Sequence, residues 1–119
     1  MTRTKSMRLL TLILAFLITG CSDVVTSHYN TYQQAKEDKL FERGWLPDIL
    51  PPTTVQLEIR NDLDLNTSTG HFTIPPSGVA DFLRKLKPVS NKPDTYYYQN
   101  WQFELTTSGA IKYNLSLGI

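Results

Sequence analysis

One cysteine, two histidines and two methionines are all this 119-residue chain offers in soft or imidazole ligands. A single thiol excludes an internal disulfide, and two isolated histidines exclude the common zinc spacings. No glycine-rich phosphate loop occurs, and no Gly-x-Ser-x-Gly context places a nucleophile. No apolar run is long enough for a permanent membrane span. The longest, Leu9 to Ile18, is broken only by Thr11, and ten helical residues at ~1.5 Å each cover about half of a ~30 Å hydrocarbon core. Neither sign of charge predominates, with twelve Lys and Arg against eleven Asp and Glu, so there is no nucleic-acid footprint. No metal or cofactor is expected, and no enzymatic activity.

What is present begins with that apolar run. Arg3, Lys5 and Arg8 precede it without an acidic residue, and the small residues Thr19 and Gly20 follow it. This is the layout of a cleaved export signal over residues 1–20. The stretch Leu17-Ile18-Thr19-Gly20-Cys21 resembles the lipobox of bacterial lipoproteins. The resemblance implies that Cys21 receives a diacylglycerol, that cleavage falls before it, and that the new amine is acylated, with palmitate a usual chain. Two or more acyl chains give stable anchoring. The alternatives are a plain signal peptide with a chance cysteine, or an unprocessed core cysteine. Ser22 after the cysteine implies, by the same resemblance, the outer membrane facing the periplasm, although Asp23 follows one place later. The expected address is therefore a bacterial membrane, reached through lipid on Cys21.

Removing the first 20 residues leaves 99, enough for one domain and little more. Three of the twelve Lys and Arg go with the signal, so nine face eleven Asp and Glu and the formal charge becomes −2. Residues 21–29 are short and polar and read as the lipidated cysteine with a tether. Residues 30–119 read as one globular domain.

Within it, Asn30 or Thr31 can open a helix through a capping box with Gln33 or Gln34. Tyr32, Ala35, Leu40 and Phe41 give that helix an apolar stripe, and Gly44 stands where a left-handed cap would end it. Val55, Leu57 and Ile59 alternate with Gln56, Glu58 and Arg60, which predicts a half-buried strand continuing in phase to Leu63 and Leu65 with Asn61 as the lapse. Phe72 and Ile74 mark a second strand after the Asn66–Gly70 turn. Ser77 can cap a second helix with Val79, Phe82, Leu83 and Leu86 on one face. Tyr96 to Leu105 reads as a third strand, with Tyr97, Trp101, Phe103 and Leu105 on one face and Tyr96 and Tyr98 on the other. Ile111, Tyr113, Leu115, Leu117 and Ile119 define a fourth. The expected fold is α+β: a small two-layer domain with a mostly antiparallel four-stranded sheet and two helices, in the order α-β-β-α-β-β.

Two blocks carry a family resemblance. In the first stand Ala35-Lys36, Leu40-Phe41, Arg43-Gly44-Trp45-Leu46-Pro47 and Leu50-Pro51. In the second stand Asn61-Asp62-Leu63-Asp64, Asn66, Gly70 and Phe72. Together they resemble the YbbD head domain family of small bacterial envelope proteins. The resemblance implies no activity and no functional residues.

Candidate sites each have a bland reading beside the functional one. Asp62, Asp64 and Asn66 space three oxygens as a calcium loop does, but Thr67 and Thr73 stand where that loop needs Gly and Glu, so a strand end and turn fit better. Asp62 and Asp64 are also the one close acid pair that a cell-wall hydrolase could use. Trp45 beside Arg43 could form a recognition corner or could pin a turn onto the core. Tyr96 and Tyr98, placed outward, offer rigid amphipathic surface to a peptide or sugar, or reflect strand propensity alone. The expected function is an envelope interaction module binding a protein, peptide or glycan through Tyr96, Tyr98 and Trp45. A structural envelope component without a dedicated ligand is the alternative, and a hydrolase the least supported.

Overall fold

The computed structural model describes residues 23–115. The expected export signal over residues 1–20, the expected lipidation at Cys21 and the expected strand positions Leu117 and Ile119 lie outside the described residues.

A seven-stranded antiparallel sheet dominates, and the four-stranded, two-helix plan is corrected by it. Strand β1 (Val24–Thr31) is followed by helix α1 (Tyr32–Glu37), then β2 (Val55–Asp62) and β3 (Thr67–Thr73). Helix α2 (Pro76–Leu83) comes next, then β4 (Lys87–Pro88), β5 (Thr95–Tyr98), β6 (Trp101–Leu105) and β7 (Ala110–Leu115). Their order across the sheet is β1-β2-β3-β7-β6-β5-β4.

Strand β1 occupies what reads in sequence as a tether. It pairs with β2 from Val24↔Asp62 to Thr31↔Val55. Val25, Ser27 and Tyr29 face the core side, and only Tyr29 is buried, so its alternation carries little apolar signal. Val24, Val25 and Thr26 supply β-branched propensity instead.

Helix α1 starts where the capping box predicts. Thr31 Oγ1 accepts from Gln34 N at 3.2 Å, and Gln34 Oε1 accepts from Asn30 N at 2.9 Å. It stops far sooner than its stripe suggests. Lys39 takes a left-handed φ of 62°, Leu40 N donates to Ala35 O, and Lys39 N donates to Lys36 O. This is a Schellman closure, in which the residue after the left-handed position meets one five earlier. Ala35 and Leu40 are both buried and make that contact. Spaced five apart they cannot share the face of a straight helix, so burial of both requires the break.

Strand β2 ends at Asp62, so Leu63 and Leu65 are turn residues and exposed, contrary to the phase that continues through them. Asn61, the lapse in that phase, is buried and accepts from Ser68 Oγ at 2.7 Å. Helix α2 begins at Pro76, not Ser77, with Pro75 in the capping position and no side-chain cap. Proline suits the first helical turn because its missing N–H has no partner there anyway.

One sheet face is covered. Leu57, Ile59, Phe72, Phe103, Ile111 and Tyr113 meet Ala35, Leu40, Leu46 and Leu50 from the β1–β2 connection and Phe82 and Leu86 from α2 onward. Phe72 lies at the centre, with Phe82, Phe103 and Tyr113 ring centroids 6.0, 6.1 and 6.4 Å away. The other face carries polar residues: Thr26, His28, Arg60, Thr69, His71, Gln102, Glu104, Lys112 and Asn114 are exposed.

Candidate functional site

The tyrosine run is split by a hairpin. Gln99 and Asn100 connect β5 to β6, with Gln99 at φ 52°, and Tyr98 pairs with Trp101 while Tyr96 pairs with Phe103. Residues directly opposite in an antiparallel pair share a face. Tyr96 and Tyr98 therefore lie on the core side with Trp101 and Phe103, half-buried against the core, and Tyr97 turns outward at 41% exposure. The outward placement of Tyr96 and Tyr98 is thus corrected: a strand drawn straight from Tyr96 to Leu105 counts Gln99 and Asn100 as strand positions, although they form the turn.

Trp45 follows Gly44, whose φ of 82° makes the sharp turn. Its ring is half-buried against the core, and its carbonyl accepts from Trp101 Nε1 at 3.1 Å. Tyr98 lies 6.4 Å from Trp101, centroid to centroid. The structure thereby links Trp45, Tyr98 and Trp101 into one aromatic seam that joins the β1–β2 connection to the β5–β6 hairpin. Tyr96 packs against the core on the same sheet face.

A cleft of about 390 Å³ opens at the β4 edge of the sheet, lined by Lys85, Lys87, Tyr97, Tyr98 and Gln99. Lys87 stands opposite Tyr97 across β4 and β5, and Lys85 Nζ donates to Ile49 O at 3.3 Å. Its lining thus holds two cations, two phenols and a carboxamide, and no acid. Such a wall can meet an anionic group with the ammonium groups and a flat or ring-bearing group with the Tyr97 face. Of these residues, only Tyr98 is a binding candidate from the sequence. One sequence signal could have pointed here: Arg84, Lys85, Lys87 and Lys92 fall between Asp81 and Asp94 with no acid among them.

The two histidines come near each other on the polar face. His28 and His71 both stand opposite Glu58, in β1 and β3 respectively. His71 Nε2 lies 2.7 Å from Glu58 Oε2, an exposed contact. Lys112 is the next residue along this row and Glu104 the one after. Among the described residues no group of three His, Cys, Asp or Glu is arranged to hold a metal ion. A shallower depression of about 220 Å³ lies beside this row, over Thr69, Gln102 and Asn114.

The Asp62–Asn66 segment is a tight turn. Asp62 Oδ1 accepts from the backbone N–H groups of Asp64 and Leu65, both at 3.1 Å, and Asn66 takes a φ of 55°. Asp64 leaves the strand and meets Asp23 instead. A hydrogen bond with that carboxyl, and its charge, raise the Asp64 carboxyl above its usual range. Asp62 and Asp64 accordingly do not present paired carboxylates from one strand face, as a strand continuing through them would.

The family model described as the YbbD head domain matches residues 23–73, from the start of β1 to the end of β3. No curated protein and no solved structure matches the chain.

Proposed function

Residues 23–73 belong to the YbbD head domain family, and from this premise we propose that the chain is a lipid-anchored bacterial envelope module that binds a peptide or glycan bearing acidic groups. Binding, without chemistry of its own, is the activity proposed. The observation that carries the reading is the cleft of Lys85, Lys87, Tyr97, Tyr98 and Gln99, which concentrates positive charge and aromatic surface on a domain of net negative charge. Local charge opposite to the net charge steers an anionic ligand to one place. Support for the envelope address comes from the sequence up to Cys21, and the periplasmic side of the outer membrane follows from Ser22.

Affinity capture tests the binding reading. The domain from Ser22 onward is immobilised, envelope extract is passed over it, and wild type is compared with a Lys87→Glu, Tyr97→Ala double variant. Both side chains are exposed, so the variant keeps the fold. A partner retained by wild type and lost by the variant supports the cleft. Retention by both moves the binding surface elsewhere. A Tyr96→Ala, Tyr98→Ala variant is unsuitable because it opens the core. Incorporation of labelled palmitate, abolished in Cys21→Ala, tests the anchor separately.

A further inference from the structure

We propose that the β2–β3 turn, Leu63-Asp64-Leu65, rests on the lipid surface and fixes the orientation of the sheet on the membrane; this rests on the lipid anchor at Cys21 proposed above. Strand β1 begins at Val24, which leaves only Ser22 and Asp23 between it and the proposed anchor at Cys21. The two peptide units from Cys21 to Asp23 reach at most about 7 Å. Asp23 O accepts from Leu63 N at 3.0 Å, which holds the turn beside the point where the chain leaves for the membrane.

Exposed apolar side chains gather at the same place. Among the described residues four large apolar side chains are exposed: Val25 at 47%, Leu63 at 50%, Leu65 at 71% and Tyr97 at 41%. The first three surround the exit of the chain, since Val25 stands one position along β1 from the Val24↔Asp62 pair that ends the β1–β2 ladder. Two leucines on a tight turn, held beside Asp23 two positions after the proposed anchor, can enter the headgroup boundary without disturbing the sheet. Asp23, Asp62 and Asp64 lie among them and select the lipid. An anionic leaflet repels carboxylates, so the occupant is a zwitterionic surface.

The processed, lipidated protein in phosphatidylcholine vesicles provides the test. Leu65→Cys carries an environment-sensitive fluorophore, and Thr53→Cys carries the same dye as a control. Acylation occupies the Cys21 thiol, so each variant has one labelling position. Thr53 is exposed and lies beyond Val55, at the far end of β2, roughly 23 Å from Asp62. The expected result is a blue shift at position 65, with loss of emission to a lipid-borne nitroxide, and neither effect at position 53. Equal, water-like emission from both positions on vesicle-bound protein overturns the proposal and leaves the anchor standing. A blue shift at 65 without lipid quenching assigns the turn to a second copy and also overturns it. Absence of palmitate on Cys21 removes the anchor and this inference together.

Discussion

Tyr113 shows how much of this domain depends on single polar contacts inside the core. Its side chain is 3% exposed, and its hydroxyl lies 2.8 Å from Ser68 Oγ, which in turn donates to Asn61. Tyr113 is therefore the donor at the head of a buried chain of three. Ser68→Ala would leave Tyr113 and Asn61 without partners at a cost of about 1–3 kcal/mol, read as a fall in the urea midpoint at unchanged slope. Burial raises the Tyr113 phenol well above its ordinary value. Below about pH 10 folded and unfolded chains both keep this proton, and stability does not depend on it. Above that, the unfolded chain releases it first, and stability falls by up to about 1.4 kcal/mol per pH unit. Urea midpoints should therefore drop as pH rises above about 10, less steeply in Tyr113→Phe. Gly70 sits beside the same ring. A Cβ there would run into Glu58 O and meet Tyr113 Cε1 at 2.9 Å, so Gly70→Ala should cost about 2 kcal/mol or more.

At the scale of elements, the informative sites are where a local pattern stops. Lys39 holds a left-handed conformation that lysine adopts at a cost, because burial of Ala35 and Leu40 requires the chain to turn there. Lys39→Gly should stabilise the domain by about 0.5–1 kcal/mol, measurable as a raised urea midpoint. The capping pair that opens α1 is visible in the sequence because it is local: Thr31 and Gln34 meet within one turn. The helix end is not visible, since Leu40 is drawn inward by contact with the sheet. Strand β1 escapes notice for a related reason. An edge strand with one buried residue, Tyr29, needs its ladder to β2 more than an apolar face. At the candidate site, the aromatic density of residues 96–98 and 101 is legible. Which phenol points outward is not, because the face of every residue before Gln99 depends on where the chain reverses.

The whole molecule is tied together by contacts that cross the boundary of the family match. Strand β3 pairs on one side with β2 and on the other with β7. Phe72 in β3 packs on Phe82 and Phe103, and Trp45 O holds Trp101. Residues 23–73 on their own would expose Phe72 and leave one edge of β3 unpaired. That fragment should show no cooperative urea transition, whereas the complete domain should lose far-ultraviolet circular dichroism and tryptophan fluorescence together. Phe72→Ala in the complete domain should cost about 3–5 kcal/mol, since it removes the ring on which both halves converge.

What can be read from the sequence alone rests on neighbours in the chain. The lipobox-like segment ending at Cys21, the hairpin between Phe103 and Tyr113, the alternation of β2 and the start of α1 each rest on residues a few places apart, and so does the likeness to the YbbD head domain carried by Gly44-Trp45-Leu46-Pro47. Tertiary structure decided the number of strands, the early end of α1, the inward turn of Tyr96 and Tyr98, and the meeting of Lys85 and Lys87 with Tyr97. Each of these trades a local preference against burial on a shared sheet, and the surface that does the burying is built by residues tens of positions away.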